Sequence, residues 1–275
     1  MCVFINMKKY YVNHDLFIVN HNPISVYILG LLWADGYVNK KNKQVIIECA
    51  GEDIDYFYTL FSDTGYYGLY ERKNRKTKTI YSSSLELSNF LKECNYTDKS
   101  VLTPNKILSK INKNLHKYFS LGWFDGDGCF YVNNDVSQMA VTGGYDQKWD
   151  GLIDVCNELS IGFNIRLIDR GKSKYSQFRI TNMGDIVSFG EYMYGNHNIG
   201  LNRKKDKFSL IKEKYDTFLN NKKIMCFNSE NVLVSEFSSL KEASLWLNKG
   251  RNVSGDINDC IRGRQKTAFG YMWKK

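Results

Sequence analysis

The sequence predicts an α+β protein made of two copies of one unit, each running helix–strand–strand–helix–strand–strand–helix, followed by a small C-terminal module. Three observations predict it. A short apolar segment ending in Asp-Gly occurs twice, as Ile28-Leu29-Gly30-Leu31-Leu32-Trp33-Ala34-Asp35-Gly36 and as Ser120-Leu121-Gly122-Trp123-Phe124-Asp125-Gly126-Asp127-Gly128, and the copies align without a gap. The periodic segments that follow each copy occur in the same order. Residues 221–275 fall outside the repeat and change character, with ten Lys and Arg against five Asp and Glu. The expected divisions are residues 1–114, 115–220 and 221–275.

In the first copy the helix ending at Asp35 leads into candidate strands 37–39 and 45–49. A helix near 53–63, strands near 66–72 and 79–84, and a helix near 85–94 follow. In the second copy the helix ending at Asp127 leads into strands 129–133 and 138–142. A helix near 146–159, strands 163–170 and 177–181, and a helix near 184–193 follow. Strand alternation is clearest in the second copy. Phe163, Ile165 and Leu167 alternate with Asn164, Arg166 and Ile168, and Phe178 and Ile180 alternate with Gln177, Arg179 and Thr181. Such period-two patterns describe a sheet with one wet face. In the last stretch, 224–227 and 232–234 read as a hairpin. Ser239-Leu240-Lys241-Glu242 reads as a capping box opening a helix through Leu247. Ser254 is a candidate cap for a second helix, with Gly263 ending it.

Bulk properties narrow the function classes. Two prolines in 275 residues, 43% apolar and 15% aromatic content describe a folded chain with a filled core. A formal charge of +9 favours an acidic partner, nucleic acid first. The seven cysteines are scattered with no C-x-x-C pair, which argues against a zinc site or disulfide framework and for the cytoplasm or another reducing compartment. The apolar run 24–34 is too short to span a bilayer, so no membrane association is expected.

The repeated segments carry the chemistry. An aspartate at a helix C-terminus meets the negative end of the helix dipole, and both copies have one. A divalent cation would compensate. The unpaired carbonyls of the last turn, at Ala34 and Gly126, can join the carboxylates of Asp35 and Asp127 as oxygen ligands. Gly30 with Ala34, and Gly122 with Gly126, place small residues on one face of each helix. Packing these faces together brings Asp35 beside Asp127. Two amphipathic core helices with glycine stops are the bland alternative, and the duplication weighs against it.

The two segments resemble the LAGLIDADG motif of homing endonucleases. The first departs at Trp33, where the family often has an acid, and the second keeps that acid as Asp125. The last acidic position of the motif, the family's metal-binding residue, is filled by Asp35 and Asp127. Two motifs in one chain resemble the monomeric, pseudo-symmetric members. The resemblance covers about residues 15–220. It implies two αββαββα units forming a saddle over double-stranded DNA and a Mg2+-dependent double-strand break (Mg2+ or another divalent cation) in a long target. It also implies one lysine per half near the scissile phosphates. Lys99 and Lys204 sit in matching late positions, with a phosphate-contacting or solvated lysine as the alternative. An RNA maturase acting on a host intron and a catalytically silent DNA-binding regulator are the competing functions.

The DNA-facing residues expected from strand alternation are Asn164, Arg166, Arg170, Gln177 and Arg179 in the second half. The first half offers Tyr37, Asn39, Arg72, Arg75, Lys76 and Lys78 as further candidates, with a plain solvated face as the alternative. Arg suits guanine edges, and Asn or Gln suits adenine. In the C-terminal stretch, Cys260-Ile261-Arg262-Gly263 and Thr267-Ala268-Phe269-Gly270 resemble the modular DNA-binding repeats of intron-encoded nucleases. That resemblance implies a helix-turn-helix-like module contacting DNA through Arg262, Arg264 and Lys266.

Overall fold

The computed structural model describes residues 12–39, 44–71, 77–133, 136–171 and 173–275. Contacts divide the chain into two compact units, 1–211 and 212–275. The first opens with a single helical turn, α1 (Asp15–Ile18), and then α2 (Pro23–Ala34). The start of α2 is fixed by a reciprocal cap. The Asn22 side chain accepts from the Ser25 N–H at 2.8 Å, the Ser25 hydroxyl accepts from the Asn22 N–H at 3.0 Å, and Pro23 occupies the first helical position. Ser25 through Trp33 are buried without a break. A helix apolar all round must be covered all round, and α2 lies in the middle of the core.

The first unit continues through β1 (Gly36–Val38), β2 (Val45–Ala50), α3 (Ile54–Ser62), β3 (Gly68–Glu71), β4 (Thr77–Ser82) and α4 (Leu85–Glu93). A short helix, α5 (Asn105–Leu108), and one 3-10 turn lead to α6 (His116–Asp127), the partner of α2. Then come β5 (Gly128–Val132), β6 (Ser137–Gly144), α7 (Asp150–Leu159), β7 (Asn164–Asp169), β8 (Lys174–Ile180), α8 (Met183–Tyr194) and α9 (Asn202–Asn220), the last crossing the division between units. The two sheets are antiparallel, with orders β1-β2-β4-β3 and β5-β6-β8-β7. Those are one topology used twice, as the repeat predicts.

Three local readings differ from expectation. Helix α7 starts at Asp150 rather than near 146, because Gln147 N–H closes a turn on the Gly144 carbonyl and Trp149 stacks in the core on Trp123. Ile165 and Leu167 do lie on the core side of β7, opposite the buried Phe178 and Ser176. However, β7 is the sheet edge, and they remain 43% and 57% exposed. The 19-residue α9 has no counterpart in the sequence pattern.

The second unit forms a three-stranded antiparallel sheet, β10-β9-β11, from β9 (Ile224–Phe227), β10 (Leu233–Phe237) and β11 (Met272–Lys274), with α10 (Leu240–Trp246) and α11 (Ser254–Ile261) packed on it. Its core is Ile224, Cys226, Phe237, Ala243, Ile257 and Trp273. The hairpin and both helices follow the expectation, while β11 adds a strand. Ser239 caps α10 through the Glu242 N–H at 3.2 Å, but Glu242 bonds to Ser238 instead of closing the box. Ser254 is not a cap. It is the first residue of α11, and its hydroxyl donates to the Leu240 carbonyl. Residues 247–253 join the two helices, a longer connection than the three or four residues of a tight helix-turn-helix.

Candidate active site

Helices α2 and α6 touch backbone to backbone. A Cβ on Gly30 would fall 2.0 Å from the Phe119 carbonyl oxygen, and one on Gly122 would fall 2.0 Å from that of Tyr27. The contact runs to the helix ends, where a Cβ on Gly126 would meet the Ala34 Cβ at 2.3 Å and Asp35 Oδ2 at 3.1 Å. Asp35 caps α2, its N–H donating to the Leu31 and Leu32 carbonyls, and Asp127 is the last residue of α6. The small-residue faces therefore bring the two motif acids to one place.

Desolvation marks both carboxylates, and repulsion marks Asp127 as well. Burial raises the Asp35 pKa, and the charges of Lys99 and Lys204 oppose the shift. The Asp127 pKa is pushed up to about 7 by burial, then by the charge of Asp35, with the same two lysines opposing. Each lysine closes one helix end. Lys99 Nζ donates to the Leu32 carbonyl at 2.9 Å and the Ala34 carbonyl at 2.5 Å. Lys204 Nζ donates to the carbonyls of Phe124, Asp125 and Gly128 at 2.7, 2.8 and 2.6 Å. Burial lowers both ammonium pKa values to about 8. Lys204 is only 3% exposed, so its solvated reading does not describe its place in the fold.

Asp125, the extra acid of the second motif, is held by other partners, with its charge coupled to Lys204. Its Oδ2 accepts from the Tyr27 hydroxyl at 2.8 Å and the Leu201 N–H at 2.9 Å, and burial raises its pKa. The corresponding Trp33 packs on Tyr96, Phe119 and Trp123. The sequence reading missed this use of Asp125 because Leu201 and Tyr27 are remote in the chain.

The raised Asp127 pKa fixes the sign of a pH effect. Without divalent ions, the folded state holds this proton more tightly than the unfolded state. Its stabilising contribution is complete below the ordinary value of 3.8 and lost as pH rises through about 7. Asn mimics the protonated acid. The melting temperature of Asp127→Asn should therefore exceed that of the parent by a margin that grows across this interval. A margin independent of pH would contradict the buried, repelled carboxylate.

The strand registers sort the surface residues. Asn164 pairs with Arg179, Arg166 with Gln177, and Gln177 with Thr142, so four of the five residues expected to face outward in the second half share the outer face of its sheet. Tyr131 and Gln138 join them, and the Arg179 guanidinium donates to the Gln138 side-chain oxygen Oε1. Arg170 follows β7, its N–H donating to the Ser173 carbonyl. In the first sheet the outer row is Tyr37, Ile46, Tyr81, Glu48, Thr79 and Tyr70, and Asn39 closes the β1–β2 hairpin on the Gln44 carbonyl. Lys78 departs from the expected placement. It shares the opposite face with Ile80 and Ile47 and pairs with Glu71 at 2.5 Å. Arg72, Arg75 and Lys76 lie outside the described residues. In the second unit Arg262, Arg264 and Lys266 are exposed beyond α11, and Arg264 pairs with Asp259 at 2.9 Å.

No family model and no curated protein matches the sequence. Among solved structures, the chain is similar to I-SmaMI bound to uncleaved DNA target in the presence of calcium ions, at 14% identity and TM-score 0.45, over 72% of this chain and 92% of that one. It is also similar to the I-LtrWI LAGLIDADG homing endonuclease bound to target DNA, at 15% identity and TM-score 0.46, over 71% and 91%. A third likeness is to I-DmoI in complex with DNA and Ca, at 15% identity and TM-score 0.42, over 67% and 96%. The α+β fold of this chain rests on its own element order and duplicated sheet topology. Among the described residues no helix is long and apolar enough to cross a membrane.

Proposed function

We propose that this chain is a homing endonuclease of the LAGLIDADG type, hydrolysing one phosphodiester in each strand of a long double-stranded DNA target. The observation that carries the reading is the convergence of Asp35 and Asp127 at the ends of two helices in backbone contact, with a lysine bonded to each end, Lys99 half-buried and Lys204 buried. Nothing in core packing requires two like charges beside one another at the ends of apposed helices, and their raised pKa values express that cost.

The donors fit a hard divalent cation such as Mg2+. They are carboxylate and carbonyl oxygens, and among the described residues no cluster of three or more His, Cys, Asp or Glu offers a softer or larger ligand set. Mg2+ commonly takes one or two protein carboxylates and completes its shell with water and phosphate oxygens. Asp35 and Asp127 would hold it, with the Gly126 carbonyl beside them; the Ala34 carbonyl, expected to be unpaired, already accepts from Lys99 Nζ. When bound, such an ion neutralises charge on the phosphate and on the attacking and leaving oxygens. Lys99 and Lys204 keep the helix C-termini electrostatically satisfied and place ammonium protons next to the acids. The outer face of the second sheet supplies Asn164, Arg166, Gln177 and Arg179 to base edges. The net charge of +9 supplies sequence-independent attraction to phosphates.

Two measurements test this. Digesting a plasmid library of randomised inserts in Mg2+ and sequencing the ends should recover one long, defined site, and an undigested library would overturn the nuclease. Binding to a duplex of arbitrary sequence should weaken steeply with salt, by about 0.9 in log K per log salt for each phosphate neutralised. A slope near zero would remove DNA as the partner.

A further inference from the structure

The segments that carry the two lysines cross between halves. Lys99 belongs to the first half, on the chain leaving α4. Its backbone carbonyl accepts from Gln147 Nε2 of the second half at 3.0 Å. Gly144 lies against the next residue, so that a Cβ there would touch Ser100 at 3.6 Å. Gly143 leaves room for the stem of Gln147, whose Cγ would lie 2.8 Å from a Cβ at that position. The opposite crossing holds Lys204. Gly200 N–H donates to the Tyr56 hydroxyl of α3 at 2.5 Å. Arg203, immediately before Lys204, donates from Nε and Nη2 to both oxygens of the buried Asp53 at 3.0 and 2.6 Å. Gly200 has φ +115°, and a side chain there would also press on Tyr194 and Asp125.

We propose that each half positions the lysine of the other. Gln147 of the second half sets the Lys99 segment over the end of α2, and Asp53 with Tyr56 of the first half sets the Lys204 segment over the end of α6. Both lysines are thus in place only when the two halves are docked. An isolated or misdocked half keeps its motif acid but loses the ammonium fixed at its helix end. Tying the lysines to the docking contacts makes cutting of either strand conditional on the complete two-half fold. Gln147, Asp53 and Tyr56 are positioning residues: they touch the lysine-bearing segments, not the acids.

This inference rests on the nuclease reading only for its consequence in cleavage, so its test has two readouts. The first is amine acetylation by acetic anhydride on the intact, metal-free chain at one fixed pH, with each lysine quantified by mass spectrometry. Gln147→Glu removes the donor with little change of shape. It should raise acetylation of Lys99 by about fivefold, the scale of one lost hydrogen bond, and leave Lys204 unchanged. Tyr56→Phe and Asp53→Asn should do the reverse. Tyr56→Phe keeps the ring packing, so it reports even if Asp53→Asn folds poorly. Equal changes at both lysines, or no change at either, would overturn the reciprocal arrangement. The second readout is strand-resolved cleavage of the site recovered from the plasmid library. The Gln147 variant should accumulate duplex uncut in one strand, and the Tyr56 variant duplex uncut in the other. Lysine-selective acetylation with no strand bias would keep the positioning and overturn the catalytic role of the lysines. Strand bias without lysine-selective acetylation would overturn the positioning.

Discussion

Asp35→Asn and Asp127→Asn should each abolish double-strand cleavage while leaving the fold and DNA binding in place. Asn has the shape of the protonated acid, so the helix ends and the small-residue contact keep their geometry. The folded state even loses an unfavourable feature, because each carboxylate sits at the negative end of a helix, partly desolvated and near its counterpart. The chemistry has no such tolerance. Neutralising either acid removes half of the anionic ligand set at a site where, among the described residues, no third acid can substitute. Removing one group that stabilises charge in a dry site typically costs about two to three orders of magnitude in rate, and loss of metal binding would cost more. The measurement is single-turnover cleavage in Mg2+ at saturating enzyme, alongside melting and a binding titration. Near-parental cutting by either variant would sink the assignment of these residues. A variant that neither binds nor melts cooperatively would show that the acids serve the fold.

The features legible in the sequence are those carried by local spacing. The gapless alignment of 28–36 with 120–128 locates both acids and predicts that Gly30, Ala34, Gly122 and Gly126 line a helix contact, and each does: Gly30 lies against Phe119, Gly122 against Tyr27, and Gly126 against Ala34. Alternation in 163–170 and 177–181 put Asn164, Arg166, Gln177 and Arg179 on one face, as the register has them. Lys78 lies on the other face because its strand starts at Thr77, two residues before the expected start, and alternation from Ile80 turns it there. Helix α9 was illegible for a different reason. Its buried face is Lys204, Phe208 and Ile211, so the position closest to the site is a lysine, where an amphipathic pattern requires an apolar residue. That lysine is buried because three carbonyls at the end of α6 receive its protons. No local pattern encodes such a contact. The Gln147–Lys99, Tyr56–Gly200 and Asp53–Arg203 contacts are likewise products of docking, between residues 48 to 150 positions apart.

Gly30→Ala and Gly122→Ala should destabilise the protein although both sit inside helices, where alanine is intrinsically better than glycine by roughly 1 kcal/mol. The intrinsic gain is outweighed because the new methyl would sit 2.0 Å from a backbone carbonyl oxygen of the facing helix. Backbone cannot rotate away as a side chain can, so the helices must separate. Overpacking of this kind costs roughly 1–3 kcal/mol, and Leu at either position should cost more than Ala. A control within the same chain is Gly255→Ala in α11, where an added Cβ meets nothing within 4 Å and the melting temperature should hold or rise. Separation at Gly30 or Gly122 also moves the helix ends, so cleavage should fall even at temperatures where the variants remain folded. Gly126→Ala tests the functional end of the contact. Its methyl would meet the Ala34 Cβ at 2.3 Å and Asp35 Oδ2 at 3.1 Å. One contact is with a side-chain methyl and the other with the carboxylate itself, so the displacement falls on the acid more than on the helix axis. Gly126→Ala should therefore lose more activity per degree of melting temperature lost than Gly30→Ala or Gly122→Ala. If all three variants melt with the parent, the helices are not in backbone contact. If Gly126→Ala cuts normally, the geometry at Asp35 is not set by its neighbour across the helix pair.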